Sequence, residues 1–161
     1  MAAPNPAPPD SDTAGVIAFP PLIVAGTLAL GLIAHWLWPR HPFPTAASRI
    51  AGIVMVVAGG AIIAWGAKTM RAAGTNIDPN QPALALVTTG PFRYTRNPLY
   101  LANVIIYLGT TLVVDALWPF VLLVPLVALL EWGVIRREER YLTRLFGAPY
   151  DAYRHRVRRW I

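Results

Sequence analysis

The sequence predicts an all-α membrane protein with about four transmembrane helices, a tight C-terminal helical hairpin and amphipathic cytoplasmic helices after it. Of its 161 residues, 55% are hydrophobic and only 14% are charged, whereas soluble domains average about 25% charged residues. The apolar residues are gathered in long uncharged runs, which is the second observation behind this prediction. The length suits one domain, and we place it at residues 16–161, after a leader of residues 1–15.

The net charge of +6 comes mostly from the C-terminal tail. Lys and Arg collect on the cytoplasmic side of membrane proteins, so this charge indicates topology and argues against a nucleic-acid partner. There are no cysteines, which excludes thiol chemistry and Cys-based metal sites. We predict no metal site, and the oligomeric state stays open.

The leader, residues 1–15, is rich in Pro and Ala and is predicted to be disordered. It has no basic region ahead of the first apolar run, so we do not interpret it as a cleaved signal. Val16–Trp38 is the first predicted span, with roughly 23 uncharged residues. His35 lies beside two Trp residues near its end, which favours an interfacial position over a ligand role.

Ile50–Ala67 is the second predicted span, and its small residues predict a face for close helix packing in lipid. They are Gly52, Gly59, Gly60 and Gly66. No strand precedes them, so a nucleotide-binding loop is not supported. The polar segment that follows, Lys68–Arg96, contains the apolar piece Leu84–Val87. That piece lies on the membrane surface, covers a ligand or is a plain connector.

Pro98–Val114 and Ala116–Ile135 are the third and fourth predicted spans. Asp115 is the only charge between them, which predicts a tight hairpin. Glu131 lies about one turn inside the near end of the fourth span, where an ionisable group is either functional or paired with an Arg. Arg136–Ile161 is basic and amphipathic, with a break at Gly147-Ala148-Pro149, and predicts helices on the headgroup surface.

Basic residues follow the second and fourth spans, whereas the hairpin turn has none. The positive-inside rule then places both termini and the long loop in the cytoplasm. We expect a multi-pass protein of the bacterial inner membrane. This topology brings the stretch Gly90–Tyr100 and the cluster around Glu138 to the same side.

The stretch Gly90–Tyr100 combines a Gly-Pro turn with Pro98, which suits the first turn of a helix. Its Arg93, Tyr94, Arg96, Asn97 and Tyr100 converge at a helix N-terminus, which favours an anionic or zwitterionic ligand. An Arg suits a carboxylate, and Glu138 or Glu139 suits an ammonium or a pair of ribose hydroxyls. S-adenosylmethionine meets these demands, and NADPH would also use Arg and Tyr.

Three segments together make the sequence recognisable: Thr89–Tyr100, Glu138–Leu142 and Phe146–Tyr153. They resemble the isoprenylcysteine carboxyl methyltransferase family, and the phospholipid N-methyltransferases are similar in the same places. The resemblance covers about residues 68–161. It implies a membrane-embedded enzyme that uses S-adenosylmethionine in a cytoplasmic-side pocket. It also implies a lipid-like acceptor that arrives from the bilayer.

The resemblance implies cofactor contacts before the Gly-Pro turn, within it, at the start of the third span and at the paired glutamates. These residues are Leu84, Ala85, Leu86, Val87, Phe92, Asn97, Pro98, Leu99, Tyr100 and Glu138. Among them, Glu138 is expected to hold the amino group of the methionine part.

The chain departs from the family pattern at two positions. Asn97 stands where many members have His, and an amide cannot titrate near neutrality. Val134 stands where prenylcysteine enzymes have an Arg for the substrate carboxylate, so we name Arg136 and Arg137 as candidate substrate-binding residues in its place. Glu131 is a separate candidate for contact with the acceptor. Methyl transfer from a sulfonium mainly needs alignment and exclusion of water, and we name no catalytic residue.

The leading hypothesis is S-adenosylmethionine-dependent methyl transfer to an amphipathic or lipid-like acceptor at the cytoplasmic membrane face. The acceptor group is a carboxylate, a thiol or an amine. Two alternatives stay open: an NADPH-dependent membrane reductase of the sterol-reductase type, and a membrane scaffold without catalysis.

Overall fold

The computed structural model describes residues 13–161, and most of them are helical. The helices are α1 (Pro20–Leu37), α2 (Ala46–Ala72), α3 (Pro98–Val114), α4 (Leu117–Leu130), α5 (Arg136–Phe146) and α6 (Ala148–Arg156). A 3₁₀ turn, Gly90–Arg93, precedes α3, and a π-helical turn, Glu131–Ile135, joins α4 to α5. Most of the predicted disordered leader lies outside the described residues.

The apolar helices confirm the predicted all-α membrane fold. The helices α1 and α2 and the continuous helix Leu117–Phe146 are long and apolar enough to cross a membrane, and α3 is a shorter apolar helix. The third span has the predicted bounds. The first begins later than predicted, at Pro20, because Pro20-Pro21 suits the first turn of a helix.

The fourth span differs from the prediction at its C-terminal end. The helix runs without interruption from α4 through the π turn into α5 and ends at Phe146. The first half of the basic tail therefore extends this helix and does not form a separate surface helix. The predicted break is present, since Gly147 has a positive φ of 57° and separates α5 from α6.

Glycines bring α2 and α3 into close contact, as the predicted packing face requires. A Cβ on Gly52 would lie 2.5 Å from the carbonyl oxygen of Gly109, and one on Gly59 would lie 2.9 Å from that of Ala102. A Cβ on Gly66 would lie 2.7 Å from the side chain of Leu99, whereas one on Gly60 would meet nothing within 4 Å. Gly60 is therefore not part of this face.

The turn between α3 and α4 lies at the end of the molecule opposite the Gly90–Tyr100 stretch. Asp115 has a left-handed φ of 57°, and its carboxylate accepts a hydrogen bond from the backbone N–H of Phe43 and lies 3.4 Å from His41. The indole of Trp118 donates to the carbonyl of Trp38 at 2.7 Å. These contacts confirm the tight hairpin and tie it to the loop between α1 and α2.

The helices form two pairs around a common core. Helix α2 packs mainly on α3, helix α1 packs mainly on α4, and α3 contacts α4. As a result, α1 and α2 pack against different helices. The buried core is formed by residues of α3, α4 and the π turn, namely Tyr100, Tyr107, Leu126, Leu130, Val134 and Ile135.

Candidate functional site

A cavity lies where the C-terminal end of α2 and the N-terminal ends of α3 and α5 meet the loop between α2 and α3. Its empty volume is about 890 Å³, including its mouth. Residues from the loop, from the start of α3, from α5 and from α6 line it.

Tyr100 and Glu138 connect the two segments that the topology was predicted to bring together. The Tyr100 hydroxyl donates a hydrogen bond to Glu138 Oε2 at 2.8 Å. Tyr100 lies in the first turn of α3 because Pro98 begins that helix. Asn97 and Glu138 both line the cavity, so these distant pieces of chain enclose one hollow on one side of the molecule.

Glu139 is the centre of a buried ion-pair network beside Glu138. Its Oε1 lies 2.9 Å from Arg96 Nη2, and its two oxygens accept bonds of 3.0 and 2.6 Å from Arg159. Arg159 also contacts Glu131 at 2.6 Å. The hydrogen bond with Glu139 is the main reason why the pKa of Arg159 is raised, so Arg159 stays charged and holds both glutamates.

The C-terminal tail is hydrogen-bonded to the Gly90–Tyr100 stretch through its backbone. The carbonyl of Arg158 accepts from the N–H of Arg96 at 2.9 Å. The carbonyl of Arg159 accepts from Thr95 Oγ1 at 3.0 Å and from Asn97 Nδ2 at 2.9 Å. The side-chain amide of Asn97 therefore holds the tail in position. A neutral His, which many family members have at this position, could donate the same hydrogen bond through its ring N–H.

The loop between α2 and α3 folds over the cavity and is held at several points. Thr75 Oγ1 accepts from the N–H of Leu84 at 2.9 Å, and the hydroxyl of Tyr141 accepts from the N–H of Ala83 at 3.1 Å. Gly90 has a φ of +58°, and a Cβ there would lie 2.5 Å from Thr69 Oγ1. The turn at Gly90 thus requires a glycine where the loop passes the end of α2.

Two tyrosines of α6 close the cavity from the other side. The Tyr153 hydroxyl donates to the carbonyl of Phe92 at 2.7 Å. Tyr150 and Tyr153 are buried, and burial is the main cause of the raised pKa of each phenol. Both rings therefore remain neutral hydrogen-bond donors at physiological pH.

A comparison with protein families extends these observations. The family model for phospholipid methyltransferases matches residues 47–149. The chain belongs to this family. Searches of curated proteins and of solved structures found no significant match.

The matched segment runs from the start of α2 to the start of α6. It includes the Gly90–Tyr100 stretch and the paired glutamates, which confirms the resemblance drawn from those residues. Helix α1 and the tail with Arg159 lie outside it. Family membership and the apolar helices together indicate a membrane methyltransferase.

The structure brings nearly all the residues predicted to bind the cofactor to the cavity. Ala85, Leu86, Val87, Phe92, Asn97, Pro98, Leu99, Tyr100 and Glu138 line it. Leu84 does not line it and is 65% exposed. The side chain of Leu84 therefore faces outward, whereas that of its neighbour Ala85 lines the cavity.

The candidate substrate-binding residues lie outside this cavity. Glu131 contacts Arg136 at 2.9 Å and accepts a hydrogen bond from the indole of Trp160 at 3.1 Å. Of the two alternatives given for Glu131, a functional group or a glutamate paired with an Arg, the structure shows the pairing. Arg137 Nη1 donates to the carbonyl of Gly15 at 3.0 Å. Arg136 lines a separate open basin, with Arg140, Arg144, Arg154 and Arg159.

Sequence reasoning did not single out several residues that shape the site. Arg159 belongs to a basic tail in which no local pattern distinguishes one Arg from the next. Tyr150 and Tyr153 were quoted as part of a motif but given no role. Asp78 was noted only as part of a polar loop, and it lines the cavity beside Tyr100.

Proposed function

We propose that this protein transfers a methyl group from S-adenosylmethionine to an amphipathic, lipid-like acceptor at the cytoplasmic membrane face. The supporting observation is that Glu138, Tyr100 and Asn97 line one cavity at the N-terminal end of α3. Membership of the phospholipid methyltransferase family supports methyl transfer.

The residues of the cavity fit this cofactor. Arg96 has a side chain with 10% exposure, and its Nε is buried without a hydrogen-bond partner among the described residues. A buried donor without a partner is costly, and a ligand carboxylate would supply the acceptor. Glu138 would hold the ammonium group of the cofactor, and the apolar side chains of Leu86 and Phe92 would contact its adenine ring.

The cofactor supplies an activated methyl group, and the protein supplies alignment and a dry site. The loop over the cavity, held by Thr75 and Tyr141, excludes water from the reacting atoms. Transfer from a sulfonium is an in-line displacement for which positioning provides much of the rate gain. Tyr100 and Asn97 serve that positioning, because each is tied to a second element.

The membrane placement is part of the same proposal. We place the site end of the molecule, with both termini, in the cytoplasm and the turn at Asp115 on the other side, in a bacterial inner membrane. The Arg-rich surface of α5, α6 and the tail supports this orientation. Residues 16–161 act as one domain in which the acceptor reaches the cavity from the lipid.

Calorimetric titration of the purified protein with S-adenosylmethionine tests the proposal. We expect saturable binding, and Glu138→Gln should weaken it at least tenfold because the ammonium loses its counter-charge. Asp151→Asn is the matched control, since Asp151 is half exposed on α6 and contacts only Arg154 among the ion pairs of the described chain. Binding of NADPH instead, or unchanged affinity in Glu138→Gln, would contradict the proposal.

A further inference from the structure

An open basin between α5, α6 and the C-terminal tail is lined by five arginines, and we call it the arginine basin. They are Arg136, Arg140 and Arg144 of α5, Arg154 of α6 and Arg159 of the tail. The three arginines of α5 are spaced four residues apart, so they lie along one face of that helix. Three elements of the chain thus contribute positive charge to one surface.

Two of the five arginines have no counter-charge. Arg140 and Arg144 are exposed, and over residues 13–161 neither forms an ion pair. Arg159, by contrast, is held by Glu131 and Glu139 at 2.6 Å each. Arg140 and Arg144 therefore carry two positive charges, about one helical turn apart, that the described part of the chain does not neutralise.

The arginine basin offers no free carboxylate to a ligand. Glu139 is the only acidic residue among the described residues that line it, and its side chain is buried and bound to both Arg96 and Arg159. A guanidinium presents a planar fork of donors that matches the oxygens of a phosphate. The basin should therefore attract a phosphate and repel the ammonium or choline group of a zwitterionic headgroup.

The position of the basin along the helix Leu117–Phe146 places it at the membrane surface. A hydrocarbon core about 30 Å thick takes about 20 residues of helix, so a span that begins at Leu117 leaves the core near Arg136. Trp132, which lies at this boundary, is 61% exposed and stacks against the Arg136 guanidinium at 5.7 Å, as is typical of interfacial Trp residues. Arg140 lies one turn, about 6 Å, farther out, at the depth of the lipid phosphates.

We propose that the arginine basin binds the headgroup of an anionic phospholipid of the surrounding bilayer, with Arg140 and Arg144 as the main contacts to its phosphate. The charge and the depth of the basin both fit this partner, since clusters of Arg beside the cytoplasmic end of a span attract anionic headgroups. The site lies outside the cofactor cavity and needs neither the cofactor nor an acceptor, so this inference is independent of the proposed methyl transfer.

The test compares two lipids that differ only in the headgroup. Full-length protein in detergent is titrated with phosphatidylglycerol, which has a net negative charge, or with phosphatidylcholine of the same acyl chains, and native mass spectrometry counts the bound lipid. We expect phosphatidylglycerol to bind at least tenfold more tightly. The double variant Arg140→Gln/Arg144→Gln should weaken that binding at least tenfold and change the binding of phosphatidylcholine less than twofold.

A second double variant, Arg156→Gln/Arg158→Gln, separates a defined site from the overall charge. It removes the same charge from two exposed arginines of the same region that do not line the basin. Its affinity for phosphatidylglycerol should stay within about twofold of the wild type. Thermal unfolding should show that both double variants are folded, because all four side chains are exposed.

A competition experiment separates a lipid from a soluble anion as the source of the phosphate. Glycerol 1-phosphate in millimolar excess should not displace phosphatidylglycerol, and full displacement would overturn the proposal of a lipid site. Equal binding of the two lipids, or an equal loss of phosphatidylglycerol binding in the two double variants, would overturn it as well. Calorimetric titration with S-adenosylmethionine tests the proposed function separately, so either proposal can fail alone.

Discussion

The Tyr100 hydroxyl lies 2.8 Å from Glu138 Oε2 and joins the first turn of α3 to the first turn of α5. The two residues come from separate helices, and both line the cavity. The geometry of this pair therefore affects how the cofactor is held in the proposed reaction.

Tyr100→Phe keeps the ring and removes the hydroxyl that holds Glu138. A hydrogen bond to a charged group contributes about 1.5–3 kcal/mol, so we expect the affinity for S-adenosylmethionine to fall about tenfold or more. Calorimetry on Tyr100→Phe, Glu138→Gln and the double variant measures the coupling. Strictly additive effects would show that the pair does not act as a unit.

Arg159→Ala should destabilise the site end of the protein because it leaves Glu139 and Glu131 short of a counter-charge. Arg159 is 33% exposed, so solvent screens part of the loss, and we expect a cost of about 1–3 kcal/mol. Arg158→Ala is the matched control: it removes the same charge from an exposed side chain and keeps the backbone carbonyl that accepts from Arg96. Thermal unfolding in detergent compares the two, and equal melting temperatures would contradict the network.

Gly52→Ala should loosen the contact between α2 and α3. Its new methyl group would lie 2.5 Å from the carbonyl oxygen of Gly109, and overpacking typically costs about 1–3 kcal/mol. Gly60→Ala on the same helix meets open space and should leave stability unchanged or slightly higher. If both variants melt alike, the packing face has been assigned to the wrong glycines.

The absence of native cysteines allows the proposed topology to be tested by labelling. Arg40→Cys, in the loop near Asp115, should react with a membrane-impermeant maleimide in right-side-out vesicles. Arg144→Cys on α5 should react only in inverted vesicles. Both sites reacting from the same side would refute the topology and the shared membrane face with it.

Local sequence patterns were sufficient for the spans because each apolar helix is defined by its own residues. Pro98–Val114 was predicted with its observed bounds because Pro98 is restricted to the first turn of a helix and Asp115 is the only charge before α4. The end of the fourth span was missed. The polar run Arg136–Arg140 indicates a boundary, yet the helix continues because its backbone bonds are local and tolerate polar side chains.

The sequence by itself indicated an all-α membrane protein, a glycine face on α2 and the placement of Gly90–Tyr100 and Glu138 at the same end of the molecule. Only the tertiary structure decided that Leu84 faces outward, that Arg159 holds Glu131 and Glu139, and that Asp78 lines the cavity. The physical reason is the distance along the chain over which each kind of interaction acts. Hydropathy and helix-start signals act over a few neighbouring residues, whereas an ion pair or a cavity wall depends on which distant segments the packing of the helices brings together.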